Sequence, residues 1–141
     1  MTANRQTKNG FQIQHDGICG LLQAIPFCKA LWYHVVMLKY NHLGIPTTVK
    51  RPGEMYLPRF KLYASGYEDS PYKVEWMRYE ADCPLPEIVK TIPHVAFEVD
   101  DLAEAIKGKK VIIQPNSPSP GVLVAFIEDN GAPIELMQFT K

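Results

Sequence analysis

The rhythm of hydrophobic and polar positions changes near residue 37. Residues 1–17 are polar and without period. Residues 18–36 are apolar but interrupted by Gln23, Pro26, Lys29 and His34. Beyond residue 37, short apolar or alternating runs are separated by Pro, Gly and Asp, the punctuation of strands rather than helices. The clearest run is 91–99, where Val95, Phe97 and Val99 fall on one side of a strand and His94, Ala96 and Glu98 on the other. The same reading predicts strands at 39–45, 59–65 (with Phe60, Leu62 and Ala64 on one side), 72–79, 110–114, 122–128 and 133–139. Asp129-Asn130-Gly131 marks a tight hairpin. Residues 47–58 and 116–121 read as loops, and 82–90 as a loop with a short turn of helix. Residues 100–106 read as a short helix with acidic residues in its first turn.

The strand text repeats. Lys73-Val74-Glu75-Trp76-Met77-Arg78-Tyr79 aligns with Pro133-Ile134-Glu135-Leu136-Met137-Gln138-Phe139, matching glutamate, methionine and an aromatic residue. Tyr40-Asn41-His42-Leu43-Gly44-Ile45 aligns with Ile92-Pro93-His94-Val95-Ala96-Phe97, matching histidine, an apolar residue, a small one and another apolar one. Each half opens with a histidine strand and closes with a glutamate strand. Residues 37–141 therefore read as an α+β domain of two βαβββ-like modules, each too small to bury a core alone. Residues 1–36 read as an N-terminal extension. Met37 can itself be a start residue, which would make 1–36 an upstream-translated segment; the alternative is an N-terminal helix covering one face of the sheet.

A strand histidine or glutamate on its own usually serves the core or the solvent face. Here His42, Glu75, His94 and Glu135 are repeated mid-strand among apolar neighbours, where a carboxylate is costly unless paired or metal-bound. Two imidazoles and two carboxylates can share one divalent cation. Such ligands suit Zn, Ni, Co, Mn or Fe, and the lack of thiolate disfavours softer metals. Met77, Tyr79, Met137 and Phe139 share faces with the glutamates and are the expected substrate pocket.

Composition narrows the classes. The 141 residues are 46% hydrophobic and 21% charged, as in an ordinary globular domain rather than a disordered tail or a coiled coil. Fifteen basic residues balance fifteen acidic ones, so no global field favours nucleic acid or an anionic membrane, and neither is expected as a partner. Residues 18–38 are too interrupted for a membrane span, and Pro26 and Lys29 spoil a signal-peptide centre. Three cysteines make no disulfide framework, and the expected location is the cytoplasm.

Residues Ile92-Pro93-His94-Val95-Ala96-Phe97-Glu98-Val99-Asp100-Asp101-Leu102 resemble the opening of the second module of the vicinal oxygen chelate superfamily. That group includes glyoxalase I, the fosfomycin and bleomycin resistance proteins, methylmalonyl-CoA epimerase and extradiol dioxygenases. Val124-Ala125-Phe126-Ile127-Glu128-Asp129, followed by Gly131-Ala132-Pro133-Ile134-Glu135-Leu136, resembles its close. The resemblance covers 37–141 and is strongest over 92–139. It implies an eight-stranded mixed sheet cupped around one metal, with ligands on the first and last strand of each module: His42, Glu75, His94 and Glu135. Four such ligands look most like glyoxalase I, and the resemblance also implies a homodimer. The sequence carries no clear counterpart of the basic residues that hold glutathione in that enzyme.

The expected function is a glyoxalase-like metal-dependent lyase or isomerase. Its small-molecule substrate would offer two adjacent oxygens to the two positions that four protein ligands leave open, reacting through a metal-stabilised enediolate. Glu75 or Glu135 would be the general base. The alternatives are a small-molecule binding or resistance protein of the same fold, and an Fe(II) dioxygenase with three ligands.

Overall fold

The structure is a computed structural model and describes residues 38–140. These belong to the compact unit His34–Lys141. The readings made for 1–36 and for Met37 lie outside the described residues. Eight strands form one sheet: β1 (Lys39–Pro46), β2 (Met55–Leu57), β3 (Leu62–Ser65), β4 (Val74–Tyr79), β5 (His94–Glu98), β6 (Lys110–Asn116), β7 (Val122–Asp129) and β8 (Ala132–Phe139). Two short helices accompany them, α1 (Glu87–Thr91) and α2 (Leu102–Ala105). The strand order is β2-β3-β4-β1-β5-β8-β7-β6. β1 runs parallel to β4 and β5 parallel to β8, while β1 and β5 meet antiparallel at the centre. The sheet is mixed and curled, an α+β cup whose halves mirror the sequence repeat.

The second module is βαβββ. In the first, turns replace the helix between β1 and β2, and residues 47–58, read as loop, contain β2. The strand expected at 59–65 begins only at Leu62, because Pro58 to Lys61 turn back on themselves. Phe60 N–H donates to Leu57 O and Lys61 N–H to Pro58 O, and Lys61 takes a positive φ of 52°. The strand expected at 72–79 likewise starts at Val74, after a Ser70–Lys73 turn with Lys73 at φ 53°. The β7–β8 hairpin turns through Asn130 (φ 48°) and Gly131 (φ 77°), as a two-residue primed turn requires. Asp101 caps α2 by accepting from Glu104 N–H at 3.1 Å.

Apolar side chains pack on both faces. Behind the cup, α2 lays Leu102 and Ala105 against Ala125, Ile127 and Leu136. Inside it, α1 contributes Val89 to Val124 and Phe126, while Leu62, Ala64 and Met77 form a third cluster. The segment joining the modules thus enters the cup and helps shape its interior. Among the described residues no helix is long and apolar enough to cross a membrane.

Candidate metal centre

The four central strands, β4-β1-β5-β8, are the first and last strands of the two modules, and each carries one of the four repeated residues. Register explains how they meet. In the antiparallel β1–β5 pair, His42 lies opposite Ala96 and His94 opposite Gly44. In the parallel pairs, Gly44 lies beside Glu75 and Ala96 beside Glu135. The small residue two places after each histidine therefore leaves room for the other module's imidazole. At Gly44 the fit is tightest. A Cβ there would run into the His94 ring, standing 2.9 Å from Nδ1 and closer still to Cε1 and Nε2.

His42, His94 and Glu135 are all buried, and they offer ligand atoms that lie within 4.8 Å of one another. Glu135 Oε2 is the hub, 3.2 Å from His42 Nε2 and 3.1 Å from His94 Nε2. Ligands about 2.1 Å from one ion stand about 3.0 Å apart in octahedral and about 3.4 Å apart in tetrahedral geometry, so the spacing suits an ion. Glu75 does not belong to that tight group; its Oε2 is 3.5 Å from His42 Nε2. Of the two carboxylates Glu75 is the more exposed, with 20% of its side-chain surface free against 10% for Glu135.

One imidazole is oriented by a chain of partners that sequence reasoning missed. Lys39 Nζ donates to Glu98 Oε2 at 2.7 Å, and Asn41 Nδ2 donates to Glu98 Oε1 at 2.9 Å. A carboxylate only accepts, so the Asn41 amide nitrogen must face it and Oδ1 must face His42 Nδ1, 2.9 Å away. That oxygen also only accepts, so Nδ1 carries the hydrogen and Nε2 is left to face the carboxylates. Asn41 reaches this position through a β-bulge: β1 spends an extra residue between Tyr40 and His42. Nothing in the sequence signals the bulge, since the aligned residue in the second module is Pro93.

The buried polar atoms test the fit of an ion. Among the described residues, His42 Nε2 and His94 Nδ1 have no hydrogen-bond partner. For His42 Nε2 the two carboxylates are near enough, yet neither is in line, which leaves a buried nitrogen directed at the space among the four side chains. A set of two imidazoles and carboxylate oxygens suits a borderline divalent ion, so the residues fit one. Burial opposes charge on His42, but Glu135 and Glu75 outweigh it and raise its pKa. Burial raises the Glu75 pKa and nearby Glu135 adds to the rise, against the opposing pull of the histidines. Burial alone would also raise Glu135, but His42 beside it and the hydrogen-bonded His94 hold it well below the usual carboxylate range. The two glutamates, equivalent in the repeat, are pushed in opposite directions.

The centre opens into a cavity of about 320 Å³. Met77, Met137 and Phe139 line it. Tyr79 is not among the lining residues: its hydroxyl donates to Val89 O at 3.1 Å and touches Met77 Sδ, so it stands behind the wall and ties α1 to β4. Leu85 and Val89, from the segment joining the modules, also line the cavity and were not anticipated.

No family model and no curated protein matches the chain. Among solved structures, a hypothetical protein from Bacillus halodurans C-125 is similar, with a TM-score of 0.58 and 20% identity over 74% of this chain and 96% of that one. At that identity the likeness speaks for the fold alone.

Proposed function

We propose that this protein is a metal-dependent lyase or isomerase acting on a small molecule with two adjacent oxygens. The observation that carries this reading is the buried His42–His94–Glu135 group with Glu75 beside it, at one end of a cavity. His42 and His94 through Nε2, and Glu135 through Oε2, would hold one divalent ion. When bound, such an ion supplies a Lewis acid that favours negative charge on the substrate's oxygens. Glu75 takes the other role. It borders the cavity, lies outside the tight ligand group and is free to take the proton from the carbon beside the carbonyl. The electron pair left behind spreads onto the neighbouring oxygen. Returning the proton to the adjacent carbon, with the hydroxyl proton passing to the former carbonyl oxygen, completes an isomerisation, and loss of a leaving group with the electron pair completes a lyase reaction. Asn41 keeps His42 in the ligand tautomer, and the apolar walls keep bulk water away from the Glu75 carboxylate.

The test is carbon-bound hydrogen exchange of hydroxyacetone in D2O, followed by NMR, with metal content measured on the same samples. Glu75→Gln should keep metal within about tenfold of wild type, less than the 10–100-fold typical of losing an outer-shell partner, and lose exchange. Glu135→Gln should lose the metal. Wild-type exchange in Glu75→Gln would remove the assignment.

One observation favours a second reading. The tight group has two histidines and one carboxylate, the donor set of Fe(II) oxygenases, and Glu75 stands apart from it. Stoichiometric iron with substrate-dependent oxygen uptake would select that reading.

A further inference from the structure

We infer that the cavity takes a neutral molecule with a ring-sized apolar body, and discriminates against an anionic one of the same size. The orientation of the ligand, oxygens toward the histidines and glutamates, rests on the function proposed above; the charge preference does not. Among the described residues, twelve of the eighteen that line it are apolar. They come from both modules and from the segment between them, with Phe60, Leu85, Ile113, Phe126 and Phe139 among them. Met77 and Met137 add side chains that adapt to a ligand's outline. At about 30 Å³ for each water-sized group, 320 Å³ accommodates about ten non-hydrogen atoms.

The six remaining lining residues are Asn41, His42, Tyr67, Glu75, Asn116 and Glu135. Their charges are the two carboxylates, which a divalent ion would neutralise and which repel an anion without one. Tyr67 stacks edge-on to His42 at 5.9 Å, so the polar groups gather at the metal end. Asn116 spends its amide hydrogens on Gln114 O and Val124 O.

The cations beside lining residues are engaged elsewhere. Arg59, next to Phe60, donates to Ser117 O at 3.1 Å. Lys73 stands over the Tyr67 ring at 4.5 Å and pairs with Glu68, and Lys39 pairs with Glu98. Among the described residues no lysine or arginine lines the cavity. A ligand carboxylate placed against the apolar walls would lose its water and gain no partner there, and in the metal-free protein the polar end would meet it with two carboxylates.

The experiment uses the full chain and three probes. 2-Hydroxyacetophenone is neutral with a ring and two adjacent oxygens, mandelate has the same ring and a carboxylate, and hydroxyacetone lacks the ring. Calorimetric titration is run on metal-stripped and zinc-loaded protein. The charge preference is read on the metal-stripped protein, where 2-hydroxyacetophenone should bind at least about tenfold more tightly than either other probe. Phe139→Lys, at a half-exposed rim position that folding tolerates, should narrow or reverse the gap to mandelate. Mandelate binding as tightly as 2-hydroxyacetophenone, or no binding of either, overturns the inference. Zinc stoichiometry, measured separately, reports on the metal reading: a neutral preference without zinc binding sinks that reading alone, and zinc binding with a mandelate preference sinks the charge inference alone.

Discussion

Gly44→Ala is a one-carbon change that probes the centre without touching a ligand. Gly44 lies within β1 in ordinary strand conformation, so what matters is space rather than φ. The added methyl would overlap the His94 ring at three atoms, Nδ1 being the farthest at 2.9 Å. Ordinary carbon contacts are about 3.5–4.0 Å, so the ring must retreat by more than about 1 Å. It has no room, because His94 is 1% exposed and Phe126 packs edge-on against it with ring centroids 5.0 Å apart. Overpacking of this kind costs about 1–3 kcal/mol. A retreat of that size also breaks the 3.1 Å approach of Nε2 to Glu135 and should weaken metal binding by at least the ~10–100-fold seen when an outer-shell partner is lost. At free metal 100 times the wild-type Kd, binding adds about 2.7 kcal/mol of stability, and a variant binding 100-fold more weakly gains only about 0.4 kcal/mol. For a domain of this size the metal-induced rise in Tm should therefore shrink by about 9–18 °C. Thermal unfolding with and without zinc, for both proteins, checks this. If Gly44→Ala shows the wild-type zinc-induced rise, His94 is not a ligand held by this contact.

Asn41→Leu should leave the fold intact but release the His42 tautomer, lowering zinc affinity about 10–100-fold in chelator competition. Glu54 accepts from Arg78 at 2.7 and 2.9 Å, and this pairing holds its pKa down to about 2 from 4.5. The depressed value means the pair stabilises above pH 4.5 and the contribution is lost as pH falls toward 2, so the stability gap between wild type and Glu54→Gln should close over that window in denaturant titrations. Residues 37–141 expressed alone should fold and bind the same metal, because every candidate ligand lies within them; insoluble or metal-free protein would move the domain boundary. The outer face carries Leu43, Ile45, Val95 and Phe97, part-buried and apolar, so sedimentation equilibrium should find a homodimer, and a monomer would refute that expectation.

The four repeated residues were legible because strands have a period of two. A histidine or glutamate placed mid-strand among apolar neighbours has its face fixed, and the repeat fixes the pairing of the two halves. What the sequence hid lies between strands. The three-residue β2 carries Met55 and Tyr56 largely exposed and has no alternation long enough to notice. The positive φ at Lys61 and Lys73 shortens two strands at residues that seldom adopt it, so local preference pointed the other way. Tyr79 follows Met77 on the same strand face, yet its longer side chain reaches past the wall to Val89, a partner from α1 that alternation cannot foresee. The bulge at Asn41 is a pairing irregularity, visible only against β5.

The departure from two-fold symmetry is what gives the centre a direction. The repeat makes His42 equivalent to His94 and Glu75 equivalent to Glu135, but their surroundings differ. His42 has Asn41 behind it, whereas proline precedes His94, whose Nδ1 has no partner among the described residues. Both glutamates border the cavity, but Glu135 approaches both histidines while Glu75 approaches only His42. A symmetric pair of carboxylates would compete for one ion and leave neither free. Here one is enclosed between two imidazoles and suited to staying bound, and the other is held at one point and suited to moving a proton. Two identical modules would surround the two carboxylates alike; the differences at Gly44 and Asn41 and in the joining segment set their surroundings apart.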